Sequence, residues 1–294
     1  MNDHQTEPAS FIKIKDPKEK TAKPYISNPF TLAFEAFGRF FETNKNWALF
    51  LIILGALNFL TQGVGSISDM IASRSAASTP NSPASTLTAN NPDIMTIVAL
   101  IVGITSIVLL FLIISTIIAT YLQGVFAYVA LQSEKGETVT LSEAHEQTSK
   151  RFWRLLKASV LAGLKIFAWS LLLIIPGIIA AFRYKLLPYT IMSQSADETG
   201  VTNTHTTTKN ITKGRLLEVF GVGFVSGIIP LIGGILGLAG YAALFNQLSD
   251  ADKNDTEKPP VHWLNKLLLA LAIVMILLLL AAAVIFMVYV VDYI

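Results

Sequence analysis

No cysteine occurs in the 294 residues, which removes disulfides, thiolate metal sites, cysteine nucleophiles and palmitoyl anchors together. Charge is scarce as well. Asp, Glu, Lys and Arg make up 14% of the chain, against roughly 25% in a soluble domain. The segments 46–68, 94–133, 219–249 and 267–291 contain none of the four. A net charge of +2 leaves no electrostatic footprint for nucleic acid. The four histidines, His4, His145, His205 and His262, stand in unrelated polar segments. His145-Glu146 begins the zinc-protease pattern HExxH, but position 149 is Ser149, so the second ligand is missing. No GxSxG elbow, phosphate-binding P-loop or Rossmann glycine fingerprint is present. We therefore expect no catalytic residue, no metal site and no cofactor, and read the chain as non-enzymatic.

Apolar sequence is what the chain has in quantity, at 52% hydrophobic residues. A bilayer crossing takes about 20 mostly apolar residues, and each charge-free segment is long enough. The fold class expected is an all-α integral membrane protein with about seven transmembrane helices. Residues 1–27, with five lysines among acids and prolines, read as a disordered cytoplasmic tail. Residues 28–250 read as a six-span membrane core, 251–263 as a linker and 264–294 as an extra C-terminal transmembrane helix.

Within the core the chain divides into units of about 28–131, 132–194 and 195–250. Each begins with a polar or amphipathic helix, passes a basic cluster and enters a membrane hairpin. The clusters are Arg39 with Lys45, Arg151 with Arg154 and Lys157, and Lys209 with Lys213 and Arg215. In the first unit, Phe30, Leu32, Ala33, Phe34, Phe37, Phe40 and Phe41 form an apolar stripe opposite Glu35, Arg39 and Glu42, the pattern of a helix lying in the membrane surface. Trp47 is an interfacial anchor at the start of the first span. The apolar run 94–131 is nearly twice the needed length, so it must either project beyond the membrane or bend at Gly103 or Gly124. Pro176-Gly177 predicts the turn of a second hairpin, and Pro230 with Gly233 and Gly234 the turn of a third. In a competing six-span arrangement, 216–248 is one bent helix.

Segments 1–46, 132–157, 195–215 and 249–266 hold eighteen of the twenty-two Lys and Arg, and 69–93 holds only Arg74. With seven spans they all fall on one face, which the positive-inside rule makes cytoplasmic. The expectation is a multi-pass protein of a bacterial-type cytoplasmic (inner) membrane with its N-terminus in the cytoplasm. Small-residue spacings along Gly223, Gly227, Gly233, Gly237 and Gly240 suit close helix packing within the chain, with a dimer interface as the alternative.

Three cations stand apart from the clusters. Lys165, Arg183 and Lys185 lie ~12–18 Å along their spans, with no acid at matching depth. An intramembrane charge is a functional hypothesis by default, and an unpaired basic group would attract a lipid phosphate or another anion. Snorkelling from a shallow hairpin is the plain alternative. These three residues form the candidate anion- or lipid-binding site.

Pro176-Gly177, Phe182-Arg183 and Pro188, followed by a polar helix that ends in Lys213-Gly214-Arg215, make a pattern that resembles a known family. It is similar to the membrane domain of bacterial glycerophosphoryl diester phosphodiesterases and of related multispan membrane proteins, over roughly residues 28–250. The resemblance implies a six-span core. The metal-binding catalytic domain of those enzymes has no counterpart here, since residues 264–290 take its place, so their activity is not carried over. Membrane lipids are the expected partners, with protein partners or further copies of the chain left open. Two functions follow: a membrane protein organising or anchoring partners or lipids, or a transporter or lipid-handling protein with a basic intramembrane site.

Overall fold

The computed structural model describes residues 24–57, 94–195, 200–254 and 256–292. The tail expected over 1–27 and the loop at 69–93 therefore lie largely or wholly outside the described residues. Among those described, the chain is all-helical and forms no strand. The helices are α1 (Pro29–Thr43), α2 (Lys45–Leu57), α3 (Ile94–Lys135), α4 (Leu141–Leu172), α5 (Ile174–Tyr184), α6 (Leu187–Ser193), α7 (Val201–Ile211), α8 (Leu216–Ile228), α9 (Gly233–Lys253) and α10 (Trp263–Asp292).

Two zones divide the molecule. In one, helices α1, α6 and α7, the C-terminal part of α3, the N-terminal half of α4 and the C-terminal half of α9 bury their apolar residues against one another and form a head. In the other, helices leave the head with apolar side chains exposed: Ile94–Ile118 of α3, Val160–Leu172 of α4, and α10 beyond Leu271. Three helices, α3, α4 and α10, are long and apolar enough to cross a membrane. Long helices that expose Leu, Ile, Val and Phe on every side are stable only in an apolar solvent. The chain is a helical membrane protein.

α3 settles the choice between projecting and bending. It runs unbroken for 42 residues through Gly103 and Gly124, about 63 Å at 1.5 Å per residue. Its first 26 residues are almost wholly exposed, and from Thr120 onward it is built into the head. The apolar run is long because it serves two solvents in turn.

α1 forms as the sequence predicts and packs one side into the head. Asn28 caps it by accepting the Phe30 and Thr31 amides, and Pro29 occupies the first turn, where no N–H is required. Of its stripe, Leu32, Ala33 and Phe40 are buried against α8, α9 and α3, while Phe30, Phe37 and Phe41 are half-buried and Phe34 is exposed. Asn44 then ends the helix. Its amide donates to Ser133 Oγ at 2.8 Å and to the Glu137 carbonyl at 3.0 Å, while its carbonyl accepts the Val139 amide at 2.8 Å. Trp47 completes this join by donating its indole N–H to the Val139 carbonyl.

Of the three expected hairpins, the turn of the first lies outside the described residues, and the second and third form, the second with a displaced turn. α4 reverses into α5 at Leu173, which is extended at φ −156° and ψ 136°, three residues before Pro176. Pro176 instead lies in the first turn of α5, where proline fits because that turn's N–H groups have no helical acceptor. Gly177 lets the arms meet: a Cβ there would collide with Ser170. The other hairpin turns at 229–232, around Pro230 as the sequence predicts, with Gly233 pressed on the Ser226 carbonyl. α8 and α9 are thus two antiparallel helices, and a single bent helix over 216–248 is not formed. α5 and α8 are short, at 11 and 13 residues.

Candidate functional site

The basic clusters are not the uniform docking faces that their spacing suggests. In each, the arginines are turned inward and the lysines outward. Arg39 pairs with the buried Glu134 at 3.0 Å. Arg151 donates to the Gln194 carbonyl and Arg154 to the Ile191 carbonyl, which satisfies the C-terminal end of α6. Arg215 pairs with the buried Glu218 at 3.0 Å and donates to the Pro259 carbonyl at 2.7 Å. Lys45, Lys157, Lys209 and Lys213 are exposed. The planar guanidinium, with five donors and weak hydration, suits such internal joints, whereas a strongly hydrated ammonium stays in water.

Around Glu218 these contacts make a clasp. The Tyr25 hydroxyl donates to the other Glu218 oxygen at 2.5 Å, and the Arg215 guanidinium lies over the Tyr25 ring. Burial, then the Glu218 charge, pushes the Tyr25 phenol up, so it stays protonated and keeps donating. Asn265, fully buried in the first turn of α10, donates to the Ser27 carbonyl at 2.9 Å. The segment 25–27, the start of α8, the linker and the start of α10 are joined there.

Where the head meets the exposed helices, two adjoining cavities open. The larger, about 630 Å³, lies between α3, α9, the α5–α6 turn and Ser226 of α8. Its walls mix Ala119, Leu122, Phe126, Gly233, Gly234 and Leu238 with Thr116, Thr120, Gln123, Lys185, Tyr189 and Tyr241. The smaller, about 230 Å³, adds Ser159, Tyr184 and Ile166 and shares Gln123 and Lys185 with the first. Only the larger falls within the roughly 300–1,000 Å³ of a small-molecule site. No Asp or Glu lines either one.

The polar groups of the larger cavity are of two kinds. Thr116, Ser226 and Tyr189 donate to the Leu112, Gly223 and Leu238 carbonyls. Thr120, Gln123, Tyr241 and Lys185 make no hydrogen bond among the described residues; the Lys185 ammonium lies 5.5 Å from the Tyr241 ring centroid. A ring face attracts a cation but takes none of its N–H bonds. Thr120, Gln123 and Lys185, on two chain segments, thus line one space with side chains that lack acceptors, whereas the Tyr241 hydroxyl lies against Gly223 of α8.

Of the three cations singled out in the sequence, only Lys185 lines these cavities. Lys165 is half-buried on α4 with its ammonium 5.7 Å from the Tyr184 ring, whose residue lines the smaller cavity. Arg183 is half-buried in the last turn of α5 and lines neither. Among the described residues none of the three forms an ion pair. On the far side of Tyr184 stands His205, ring to ring at 5.0 Å and 4% exposed. Neither of its nitrogens reaches a partner in good hydrogen-bond geometry, although the Ala158 backbone lies close. Burial first, then the Lys165 charge, holds this imidazole below its usual pKa, against a smaller opposing pull from Ala158.

Thr120, Gln123, Ser159, Tyr184 and Tyr241 were not singled out in the sequence, where the search was for charge. One signal does exist: Thr116, Thr120 and Gln123 recur at the i, i+4, i+7 spacing of a single helix face inside an apolar run. The other histidines do not gather: His145 meets Tyr121, and His262 accepts the Leu264 amide. No group of three or more potential ligands suited to a metal occurs among the described residues. Compared with models of protein families, with curated proteins and with solved structures, the chain matches none.

Proposed function

We propose that the chain is a non-enzymatic, multi-pass protein of the cytoplasmic membrane that binds an anionic lipid in the larger cavity. The observation that carries this reading is the set of three side chains without acceptors, Lys185, Gln123 and Thr120, in a cavity with no carboxylate. The lining mixes Lys185 and Gln123 with Ala119, Leu122, Phe126 and Leu238, beside helices whose apolar side chains are exposed. A lipid brings matching parts, an acceptor-rich charged end and an apolar tail. Anchoring of protein partners through the basic clusters has less support, because their arginines are turned inward.

The seven crossings are α2, α3, α4, α5, α8, α9 and α10, with the head in the cytoplasm. The exposed lysines of the head favour that side. The short arms α5 and α8 fit a locally thinned bilayer. The three repeated units have support in the hairpins α4–α5 and α8–α9, each preceded by a polar helical stretch.

Lipid binding is tested on the purified full chain in nanodiscs of phosphatidylcholine doped with phosphatidylglycerol, by native mass spectrometry. Retention of phosphatidylglycerol by the wild type and its loss in Lys185→Gln are expected. Equal retention of the anionic and zwitterionic lipid would sink the reading.

A further inference from the structure

The two cavities share a wall, and that wall defines the charged end of the ligand. Lys185 and Gln123 face both spaces. The smaller one adds the hydroxyls of Ser159 and Tyr184, which make no hydrogen bond among the described residues. Donors from α3, α4 and the end of α5 therefore line this shared region. A carboxylate has two oxygens to offer them. A phosphate monoester has three strong acceptor oxygens and carries about −1.5 to −2 charge at neutral pH.

The charge balance points the same way. Lys165, Arg183 and Lys185 place three cations on two adjacent arms with no ion pair among the described residues. A singly charged headgroup leaves most of that field unanswered, and a doubly charged one gains a second interaction with it. The charge that faces the cavities is an ammonium, which contacts phosphate as a point charge and does not require the planar two-oxygen geometry that suits arginine. At about 230 Å³ the smaller cavity is below the size of a drug-like site, so the headgroup is compact and carries no large substituent.

We propose that the lipid is a phosphate monoester, its terminal phosphate seated at Lys185, Gln123, Tyr184 and Ser159 and its chain running through the larger cavity toward Gly233. This rests on the lipid-binding reading and narrows it.

The test uses the full chain in phosphatidylcholine nanodiscs doped with phosphatidic acid or with phosphatidylglycerol, with inorganic phosphate as a separate arm. At pH 7.5, phosphatidic acid binds at least about tenfold more tightly than phosphatidylglycerol, because the second charge adds to the attraction. That preference shrinks toward pH 5 as the monoester loses its second charge near pKa ~6. Lys185→Gln and Tyr184→Phe weaken it, and Lys157→Gln, at an exposed lysine elsewhere on α4, leaves it unchanged. An unaltered thermal midpoint shows that each variant is folded. Equal, Lys185-dependent binding of both anionic lipids would overturn the monoester proposal while sparing the lipid site. Binding of neither above phosphatidylcholine would remove both. Saturation by inorganic phosphate at the concentrations effective for the lipid would overturn the tail-binding half of the proposal.

Discussion

Asn265 and Gly221 meet so closely that a Cβ at residue 221 would collide with the Asn265 side-chain oxygen. The contact is where α10 is set against α8, and beyond Leu271 the apolar side chains of α10 are mostly exposed. Gly221→Ala therefore has to push α10 outward or break the Asn265 bond to the Ser27 carbonyl. Overpacking of this kind costs about 1–3 kcal/mol. A lower thermal midpoint in detergent is expected, and Gly227→Ala, where no atom stands within 4 Å of the added methyl, serves as the neutral control.

The clasp gives a second prediction, in which the sign of non-additivity matters. Arg215→Met leaves Glu218, whose side chain is 2% exposed, as a buried carboxylate without its cation. Breaking a buried pair from one side costs about 3–5 kcal/mol, whereas replacing both partners is often close to neutral. Arg215→Met combined with Glu218→Gln should thus be more stable than Arg215→Met alone. With Glu218→Gln measured alone to close the cycle, losses that simply add would show that the pair is not coupled.

These joints mark the limit of what the sequence could say. The three long apolar helices and the turn at Pro230 are legible because length, missing charge and proline act locally. The turn at Leu173 was not, because no breaker separates 158–172 from 174–184 and only the docking of Gly177 on Ser170 places it. The packing of Leu32, Ala33 and Phe40 of α1 on α9 and its neighbours is not legible, because an apolar stripe looks the same whether lipid or protein covers it. Arg39, Arg154 and Arg215 read as surface charges because Glu134, the Ile191 carbonyl and Glu218 lie 95, 37 and 3 positions away, and spacing does not reveal burial. Of the cavity, Lys185 was legible as an uncompensated charge, while Tyr241 and Ser159 join it only through tertiary packing.

His205 makes stability pH-dependent in a defined direction. Its pKa in the folded chain lies below the unfolded value of about 6.5. At pH 7.5 the imidazole is neutral in both states and contributes no pH slope. As pH falls through about 6.5, the unfolded chain takes up a proton that the folded chain refuses, so stability is lost with acidification. His205→Phe fills the same space against Tyr184 without a titrating group. The wild-type midpoint should fall between pH 7.5 and 5.5 more than that of the variant; parallel profiles would assign the acid sensitivity elsewhere.

The absence of native cysteine makes the topology directly measurable. Asn44 ties Val139 to the α1–α2 junction, and Arg215 ties the start of α8 to the linker at Pro259. Thr138 and Asp252, both exposed, therefore belong to one end of the molecule. In intact cells a membrane-impermeant maleimide should miss Thr138→Cys and Asp252→Cys and label both once the membrane is opened. Ser85→Cys, in the segment that carries only Arg74, should label from outside. A single bent crossing over 216–248 would instead expose Asp252→Cys to the external reagent while Thr138→Cys stayed protected. That outcome conflicts with the bond between Arg215 and the Pro259 carbonyl, which joins the start of α8 to the linker that follows α9.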